Sequence, residues 1–325
     1  MCTAITYRTR DHYFGRTLDL EFSYNETVTV TPRSFPLRFR TLPTLSTHYA
    51  IIGMATVADN YPLYYEATNE HGLSMAGLNF PENAVYFSVC AGKDNVAPFE
   101  FIPWILGQCK TLAEARQMLE RLHLCDIPFS KEFPLSPLHW MLADREGAIT
   151  VESVSDGLKI YENPVGVLTN NPPFCYHMTH LCDYMRLTHL PPENSFAKGI
   201  DLPAYSRGMG AMGLPGDLSS ASRFVRAAFV KLNSLAGESE AESVSQFFHI
   251  LGAVEQQRGC VRLPDGRNEI TVYTSCCNTD CGIYYYTTYE NSRISAVDMH
   301  KEDLDKDTLA CYPLCKDAQI LWQNR

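Results

Sequence analysis

Strand-like patterns of hydrophobic and polar residues fill the first ninety positions of the chain. From Thr3 to Tyr7 polar and apolar residues alternate, which is the period expected when successive side chains point to opposite faces of a strand. Similar runs, rich in β-branched and aromatic residues, are bounded by turn residues. The predicted strands are residues 2–7, 13–20, 27–32, 49–57, 72–80 and 84–89. Because the first strand starts directly behind Met1, we expect the N-terminus to be held in a sheet.

Helical patterns appear later, in blocks separated by further strands. Thr111 with Glu114 three residues later has the spacing of a capping box and predicts a helix within residues 106–124. Strands that do not alternate regularly with helices favour an α+β fold with a large antiparallel component. The other predicted helices are residues 174–190, 219–235 and 243–258, and the other predicted strands are residues 138–144, 148–154, 157–163, 269–278 and 282–290.

The composition of the chain fits one large globular domain. Of its 325 residues 45% are hydrophobic and 20% are charged, and no linker-like or low-complexity tract divides them. We therefore predict a single domain over residues 1–325. The net charge of -10 argues against a nucleic-acid or anionic-membrane partner, because phosphate binding needs a basic surface.

The lack of a recognisable targeting signal and the pattern of cysteines favour a location in the cytoplasm. The N-terminus lacks the basic and apolar regions of a signal peptide, and no apolar run reaches the length of a membrane span. Twelve cysteines would suit a disulfide framework only in a small secreted chain. In a reducing compartment most of them act as small buried hydrophobes, so a chemically special cysteine must be recognised by its position.

Cys2 has such a position, because removal of Met1 would leave a thiol and a free α-amino group on one residue. The amine has an ordinary pKa of about 7.7–8.0 and can accept a proton near neutrality, while the thiol is a strong nucleophile once deprotonated. One residue could then supply both the base and the nucleophile. The alternative is that a small residue at this position merely permits removal of Met1.

Two charged residues in the second strand strengthen the case for chemistry. Residues 2–7 and 13–20 can form a hairpin that brings Arg16 and Asp19 beside Cys2. Charged residues in an apolar run are rarely buried unless they are paired or functional. An arginine near the thiol would favour the thiolate, and a carboxylate near the amine would hold it. The alternative is an Arg–Asp pair on an exposed strand face.

Asn79, Asn170 and Arg223 are weaker candidates when each is taken alone. Hydrolysis of an amide creates an oxyanion, which backbone and asparagine N–H groups can stabilise. Asparagine before proline is also common in turns. Arg223 lies in the first turn of a helix that begins near Ser219 or Ser220, where cations are disfavoured. It is either held by a buried partner or solvated at the surface.

Taken together, these motifs resemble the choloylglycine hydrolase family, whose members are N-terminal-nucleophile hydrolases and include bile salt hydrolases and penicillin V acylases. The resemblance rests on MCT, GRTLDLEF, NEHGLSMAGLNFP, LTNNP, GLPGD with SSASRF, and GIYYYTTYEN, in that order from Cys2 to about residue 300. It implies a four-layer αββα fold and amidase activity without a metal or other cofactor. It also implies a homotetramer.

The same resemblance implies a role for six residues. These are Cys2 as the nucleophile after removal of Met1, Arg16 beside the thiol, Asp19 as the aspartate that positions the α-amine, the backbone N–H of Asn79 and the side chain of Asn170 as the oxyanion hole, and Arg223 as the helix-start arginine near the nucleophile. Asn170 is chosen over Asn171 because the motif is Thr-Asn-x-Pro. The implied reaction is hydrolysis of the amide that links a bile acid to glycine or taurine.

An apolar cleft for the steroid is predicted from a loop at residues 126–135. Aromatic residues in this Pro-flanked, partly charged segment suit the wall of a cleft, although they could instead pin the loop to the core. The predicted substrate-binding residues are Leu18, Ala58, Tyr65, Phe129 and Phe133. Asn79 matches the bile-salt branch of the family, whereas penicillin V acylases tend to carry tyrosine there, so penicillin V is the alternative substrate.

A glycine-rich loop suggests which conjugate is preferred. Ser206-Arg207-Gly208 resembles the tripeptide of glycine-preferring relatives. A guanidinium can bind a planar carboxylate through two parallel hydrogen bonds, which fits glycine conjugates better than the tetrahedral sulfonate of taurine. We therefore predict a modest preference for glycine conjugates, with Arg207 as the residue responsible. If Arg207 points to solvent, the preference is set elsewhere.

Other functional classes fit the sequence less well. Cys175, His177, His180 and Cys182 imitate a zinc site, but on a helix the cysteines and the histidines would lie on opposite faces. Gly72-Leu-Ser-Met-Ala76 imitates a nucleophile elbow but lacks its last glycine and enters a strand instead of a helix. A non-catalytic bile-acid-binding protein remains as the alternative from another class, and the complete catalytic set argues against it.

Overall fold

The computed structural model describes residues 1–324 of the chain, and β-strands make up most of its regular structure. Residues rich in Val, Ile, Tyr and Thr form these strands because branched and aromatic side chains pack well on a pleated surface. In chain order the strands are β1 (Cys2–Arg8), β2 (His12–Leu20), β3 (Thr27–Thr31), β4 (Ile51–Ala58), β5 (Tyr61–Asn69), β6 (Ser74–Asn79), β7 (Asp94–Val96), β8 (Leu122–Leu124), β9 (Leu138–Asp144), β10 (Gly147–Val154), β11 (Gly157–Glu162), β12 (Val167–Leu168), β13 (Ile270–Asn278), β14 (Ile283–Thr288), β15 (Ser295–Asp298) and β16 (Ala310–Pro313).

Five α-helices accompany the strands of residues 1–324. They are α1 (Phe101–Leu106), α2 (Leu112–Leu119), α3 (Phe174–His180), α4 (Ser220–Asn233) and α5 (Glu240–Gly252). Hydroxyl caps start three of them, because the first N–H groups of a helix have no partner within it. The caps are Thr111 for α2, Ser219 for α4 and Ser239 for α5. None of the helices in this part of the chain is long and apolar enough to span a bilayer.

The strands form two large antiparallel sheets and one small parallel pair. The first large sheet has the order β12-β1-β2-β13-β14-β15, and the second has the order β11-β10-β9-β6-β5-β4-β3-β16. Strands β1 and β2 of the first sheet face β5 and β6 of the second. Helices α4 and α5 cover the outer face of the first sheet, while α1 and α2 cover the second. The predicted α+β fold with four αββα layers is confirmed.

The N-terminal hairpin lies in the middle of the first sheet. β1 pairs with β12 on one side and with β2 on the other, and the register places Cys2 opposite Leu18. β2 in turn pairs with β13, so both of its edges are occupied. The polar residues Arg16 and Asp19 of β2 are 1% and 0% exposed. The predicted hairpin is therefore confirmed, and its charged residues are buried instead of lying on an exposed face.

Several predicted elements differ from the structure in extent. Residues 84–89 form no strand; Val85 and Phe87 donate single backbone hydrogen bonds to Ser153 and Leu124, so the segment pairs only at isolated points. The helix predicted over residues 174–190 ends at His180, and the chain continues as a 3-10 turn over Leu181–Tyr184. The helix predicted at residues 106–124 is also shorter, since α2 spans Leu112–Leu119 and β8 follows at Leu122–Leu124.

Candidate active site

Cys2 lies at the start of β1, and its side chain is 2% exposed. Met1 still precedes it in this structure, so the nitrogen of Cys2 is a peptide N–H. This N–H donates a hydrogen bond to Asn170 Oδ1 at 2.8 Å. The Met1 ammonium donates to the backbone oxygen of Asp19 at 2.5 Å and forms an ion pair with Glu269. The structure is thus that of the chain before methionine removal.

Arg223 joins the first residues of β1 to Asn170. Its Nη1 donates to the carbonyl oxygen of Cys2 and to Thr3 Oγ1, both at 2.6 Å, and its Nη2 donates to Asn170 Oδ1 at 2.8 Å. Its Nε donates to the carbonyl oxygen of Leu218, in the turn before α4. The side chain is fully buried. Of the two alternatives that the sequence left open for Arg223, the structure shows the buried arginine with partners and not the solvated one.

Asp19 supplies the carboxylate that faces Arg223. Its Oδ2 lies 4.0 Å from Arg223 Nη1, and its oxygens accept hydrogen bonds from the hydroxyls of Thr17 and Thr271. Burial raises the pKa of Asp19, whereas the charges of Arg223 and of the Met1 ammonium lower it. In this Met1-containing chain the nitrogen of Cys2 bonds to Asn170, and Asp19 lies in the adjoining charged cluster.

Arg16 approaches Cys2 from the other face of β2, inside the cleft between the sheets. Its guanidinium donates to the carbonyl oxygens of Gly77 at 2.5 Å, Thr17 at 3.1 Å and Tyr65 at 3.2 Å. Burial alone would lower the pKa of Arg16, but the thiol of Cys2 and other neighbouring acidic groups raise it above its ordinary value. A permanent positive charge therefore sits beside the thiol.

Glu66 is a buried carboxylate behind Arg16 that sequence reasoning missed. Its Oε2 lies 3.8 Å from Arg16 Nε, and it accepts hydrogen bonds from the hydroxyls of Tyr273, Ser275 and Tyr284. Burial raises the pKa of Glu66, and the charge of Arg16 lowers it. β5 is buried along most of its length, so alternation could not show which way Glu66 points.

The two candidate asparagines are in direct contact. Asn170 Nδ2 donates to the carbonyl oxygen of Asn79 at 2.7 Å. The backbone of Asn170 is held by the hydroxyl of Ser220, at the start of α4, and by His177, whose Nε2–H donates to the Asn170 carbonyl at 2.8 Å. The side chain of Asn170 therefore has a fixed orientation between Cys2, Arg223 and Asn79. The structure brings all six predicted catalytic residues together.

An open cleft extends from this cluster between the two sheets. Cys2, Arg16 and Asn79 line it together with mostly apolar and aromatic side chains, and Thr56, Glu132 and Ser136 add polar groups to the wall. Four of the predicted substrate-binding residues lie in its wall; they are Leu18, Tyr65, Phe129 and Phe133. The wall also contains tyrosine, phenylalanine and leucine residues that the sequence did not single out; they are Tyr24, Leu20, Leu63 and Phe99.

The other two predicted substrate-binding residues lie outside the lining of this cleft. Ala58 ends β4 at the turn through Asp59 and Asn60, where it pairs with Tyr61. Arg207 lies on an exposed loop, and within residues 1–324 its guanidinium has no hydrogen bond or salt bridge. A sequence can show that Ala58 lies near a turn and Arg207 in a loop. It does not show whether either residue faces a cleft formed by distant parts of the chain. Their roles in substrate binding stay predictions.

Comparison with known proteins agrees with this geometry. The sequence model of the family described as linear amide C–N hydrolases, choloylglycine hydrolase family, matches residues 2–312. A bile salt hydrolase/transferase from Lactiplantibacillus plantarum is 56% identical over 324 residues, which is 100% of both chains. A bile salt hydrolase/transferase from Clostridium perfringens is 38% identical and covers 98% of this chain and 99% of its own length.

Solved structures show the same relationship. A crystal structure of a variant conjugated bile acid hydrolase from Clostridium perfringens superposes with a TM-score of 0.92 at 37% identity, over 100% of both chains. A penicillin V acylase from Agrobacterium tumefaciens superposes with a TM-score of 0.75 at 19% identity, covering 98% of this chain and 94% of its own, and shows the shared fold alone. The chain thus belongs to the choloylglycine hydrolase family of linear amide C–N hydrolases.

Proposed function

We propose that this chain hydrolyses the amide bond of glycine- and taurine-conjugated bile salts, with Cys2 as the nucleophile once Met1 has been removed. One observation carries the proposal: Cys2 lines a largely apolar cleft together with Arg16 and Asn79, and its N–H is bonded to the side chain of Asn170. The relatives from Lactiplantibacillus plantarum and Clostridium perfringens, which bear the name bile salt hydrolase/transferase, support the choice of substrate.

The first step assigned to Cys2 is an internal proton transfer. Removal of Met1 converts the N–H that now contacts Asn170 Oδ1 into a free α-amine on the same nitrogen. In its neutral form this amine takes the thiol proton, directly or through water, and the positive charge of Arg16 favours the resulting thiolate. Asp19 and Glu269 lie near the Met1 ammonium in the present chain, and we assign to their charges the role of holding the Cys2 amine once Met1 is gone.

The thiolate then attacks the amide carbonyl carbon, and the carbonyl oxygen becomes an oxyanion. Asn170 Nδ2 has two hydrogens and gives one to the Asn79 carbonyl, so its second N–H can donate to the oxyanion together with the backbone N–H of Asn79. The α-ammonium returns its proton to the leaving nitrogen, which departs as glycine or taurine. Water then cleaves the thioester, which restores the thiol and releases the bile acid.

A substrate panel tests this proposal. For Met1-free protein we expect a higher kcat/KM for glycocholate than for penicillin V, because the rigid steroid fills the cleft more completely. Binding of bile salts without release of amino acid would support the alternative of a non-catalytic binder. A higher kcat/KM for penicillin V would overturn the assignment of the substrate.

The preference for glycine conjugates is a separate prediction that depends on Arg207. We expect glycocholate to be cleaved with a kcat/KM several-fold higher than taurocholate, since one guanidinium–carboxylate contact is worth about 1–2 kcal/mol. Arg207→Ala should bring the ratio close to unity. Arg186→Ala, which removes another exposed arginine, is the matched control and should leave the ratio unchanged. An unchanged ratio in Arg207→Ala would place the specificity elsewhere.

We also propose that residues 1–325 form one catalytic unit, that it assembles as a homotetramer and that it works in the cytoplasm. Exposed apolar side chains between α3 and α4 support assembly, because large solvent-facing hydrophobic residues often mark an interface. They include Met185, Leu190, Phe196 and Tyr205. Sedimentation of the purified protein would measure the number of subunits.

A further inference from the structure

One wall of the cleft is a loop without helix or strand, and it is held by few contacts of its own. Residues 127–129 and 132–136 of this loop line the cleft, and the rings of Phe129 and Phe133 are half-buried. At its tip Ser130 Oγ accepts from the N–H groups of Glu132 and Phe133. Lys131 at this tip is exposed. The position of the wall must therefore depend on what lies behind the loop.

Arg40 lies behind the loop, in the long connection between β3 and β4. Its Nη2 donates to the carbonyl oxygen of Phe129 at 2.8 Å. The guanidinium carbon lies 5.5 Å from the ring centroid of Phe129 and 5.6 Å from that of Phe99. These two rings contact each other edge to face at 5.2 Å. One side chain thus holds the backbone and the ring of Phe129 and joins them to Phe99.

Arg40 is itself anchored to the body of the protein. Its backbone N–H donates to Glu100 Oε1 at 2.5 Å, and Glu100 precedes α1, which packs on the second sheet. Glu100 is fully buried, and its other oxygen accepts from the N–H of Ala97. Arg40 therefore connects the loop of the cleft wall to a part of the protein whose position is fixed by the packing of α1.

We propose that Arg40 is a positioning residue that sets the acyl specificity of the cleft by clamping the aromatic loop. Arg40 does not line the cleft, so it acts through Phe129 and, through the 6.1 Å ring contact, through Phe133. The kinetic part of this inference rests on the proposed function, because it concerns a bulky acyl group. The structural part, that Arg40 holds the loop down, is independent of any substrate.

Proteolysis tests the structural part. Lys131 is exposed, but a protease must bind several extended residues on both sides of it, so a lysine-specific protease should cleave native protein there faster when the loop leaves the wall. Arg40 makes three contacts here: the hydrogen bond to the Phe129 carbonyl and the cation–π contacts with the two rings. Arg40→Gln weakens the first and removes the other two, so the rate of this cleavage should rise about tenfold, since each contact is modest but the three act together. Arg40→Lys retains a cation over the rings and should give an intermediate rate.

Arg38→Gln is the matched control, because Arg38 is an exposed arginine two residues away whose side chain has no hydrogen bond or salt bridge within residues 1–324. It should be cleaved at the wild-type rate. All three variants should keep the wild-type thermal midpoint within a few degrees, which separates loop opening from global unfolding. Equal cleavage rates in Arg40→Gln and Arg38→Gln would overturn the proposal.

Kinetics test the specificity part. In Arg40→Gln the KM for glycocholate should rise about three- to tenfold with little change in kcat, because the loop must be ordered upon binding. Hexanoylglycine, whose short acyl chain reaches less of the wall, should show no such rise. An equal rise for both substrates would overturn the assignment of specificity to the loop. If neither is cleaved by wild type, the proposed function fails, while the proteolysis still decides whether Arg40 holds the loop.

Discussion

Cys2→Ala in the Met1-free chain should abolish release of glycine from glycocholate and leave the fold intact. No other thiol lines the inner end of the cleft within residues 1–324, so no side chain can replace the nucleophile. We expect kcat to fall by at least about 10⁴-fold. The alanine keeps the α-amine, and loss of one buried sulfur should cost only about 1 kcal/mol of the free energy of unfolding. Intact mass, thermal midpoint and glycine release measure these quantities.

Two further variants make this test specific. Cys277→Ala removes another buried thiol, on β13, and should keep full activity with a similar small loss of stability. Cys2→Ser should be nearly inactive, because a hydroxyl ionises far less readily than a thiol. Full activity of protein whose mass still includes Met1 would contradict the proposed mechanism, since that chain has no α-amine on Cys2.

Arg223→Met should destabilise the protein most among single substitutions at the site. It removes the cation that faces the buried carboxylate of Asp19 and leaves the carbonyl of Cys2 and the hydroxyl of Thr3 without their donor. Breaking a buried pair on one side typically costs about 3–5 kcal/mol. We expect a loss of this size in the free energy of unfolding at pH 7, measured by urea denaturation.

The loss should depend on pH in a defined direction. Without Arg223 the pKa of Asp19, which burial already raises, should rise further in the folded chain. A carboxyl whose pKa is raised in the folded chain binds protons more tightly there, so it favours the folded state as pH falls. The difference in free energy of unfolding between wild type and Arg223→Met should therefore become smaller from pH 7 to pH 5. Adding Asp19→Asn should recover part of the stability. Arg226→Met, on the same helix but bonded to backbone carbonyls, should cost less; an equal cost would contradict the charge argument.

Local patterns were enough to predict the hairpin and three of the six candidate catalytic residues, Cys2, Arg16 and Asp19. The run from Thr3 to Tyr7, the turn at residues 9–12 and the charged pair Arg16 and Asp19 all lie within twenty residues, so pairing of β1 with β2 already sets their geometry. The capping signal at Thr111 likewise gave the correct start of α2. Asn79, Asn170 and Arg223 gained their meaning only from the family resemblance.

Residues whose partners are remote in sequence were not predictable in this way. Glu66 contacts hydroxyls more than two hundred residues away, and Glu269 meets the N-terminus. Arg40 looks like an ordinary surface arginine in the sequence and is exposed in the structure, and only the folded chain shows its contact with the loop at Phe129. Neither propensity nor periodicity carries information about such contacts, because they are set by how the two sheets and their connections pack.

The ion pair between Met1 and Glu269 affects the order of events during biosynthesis. Once the hairpin has joined β12 and β13, the Met1 ammonium is held by Glu269 and by the backbone of Asp19, so an aminopeptidase would have to break these contacts although the Met1 side chain stays partly exposed. We therefore expect methionine removal to be faster while the chain is still emerging from the ribosome than after it has folded. In a cell that makes the chain faster than its aminopeptidase can work, a fraction of the folded protein would keep Met1. Under the proposed mechanism this fraction would have no amidase activity. The specific activity of a preparation would then depend on the fraction of chains that have lost Met1 as well as on its purity.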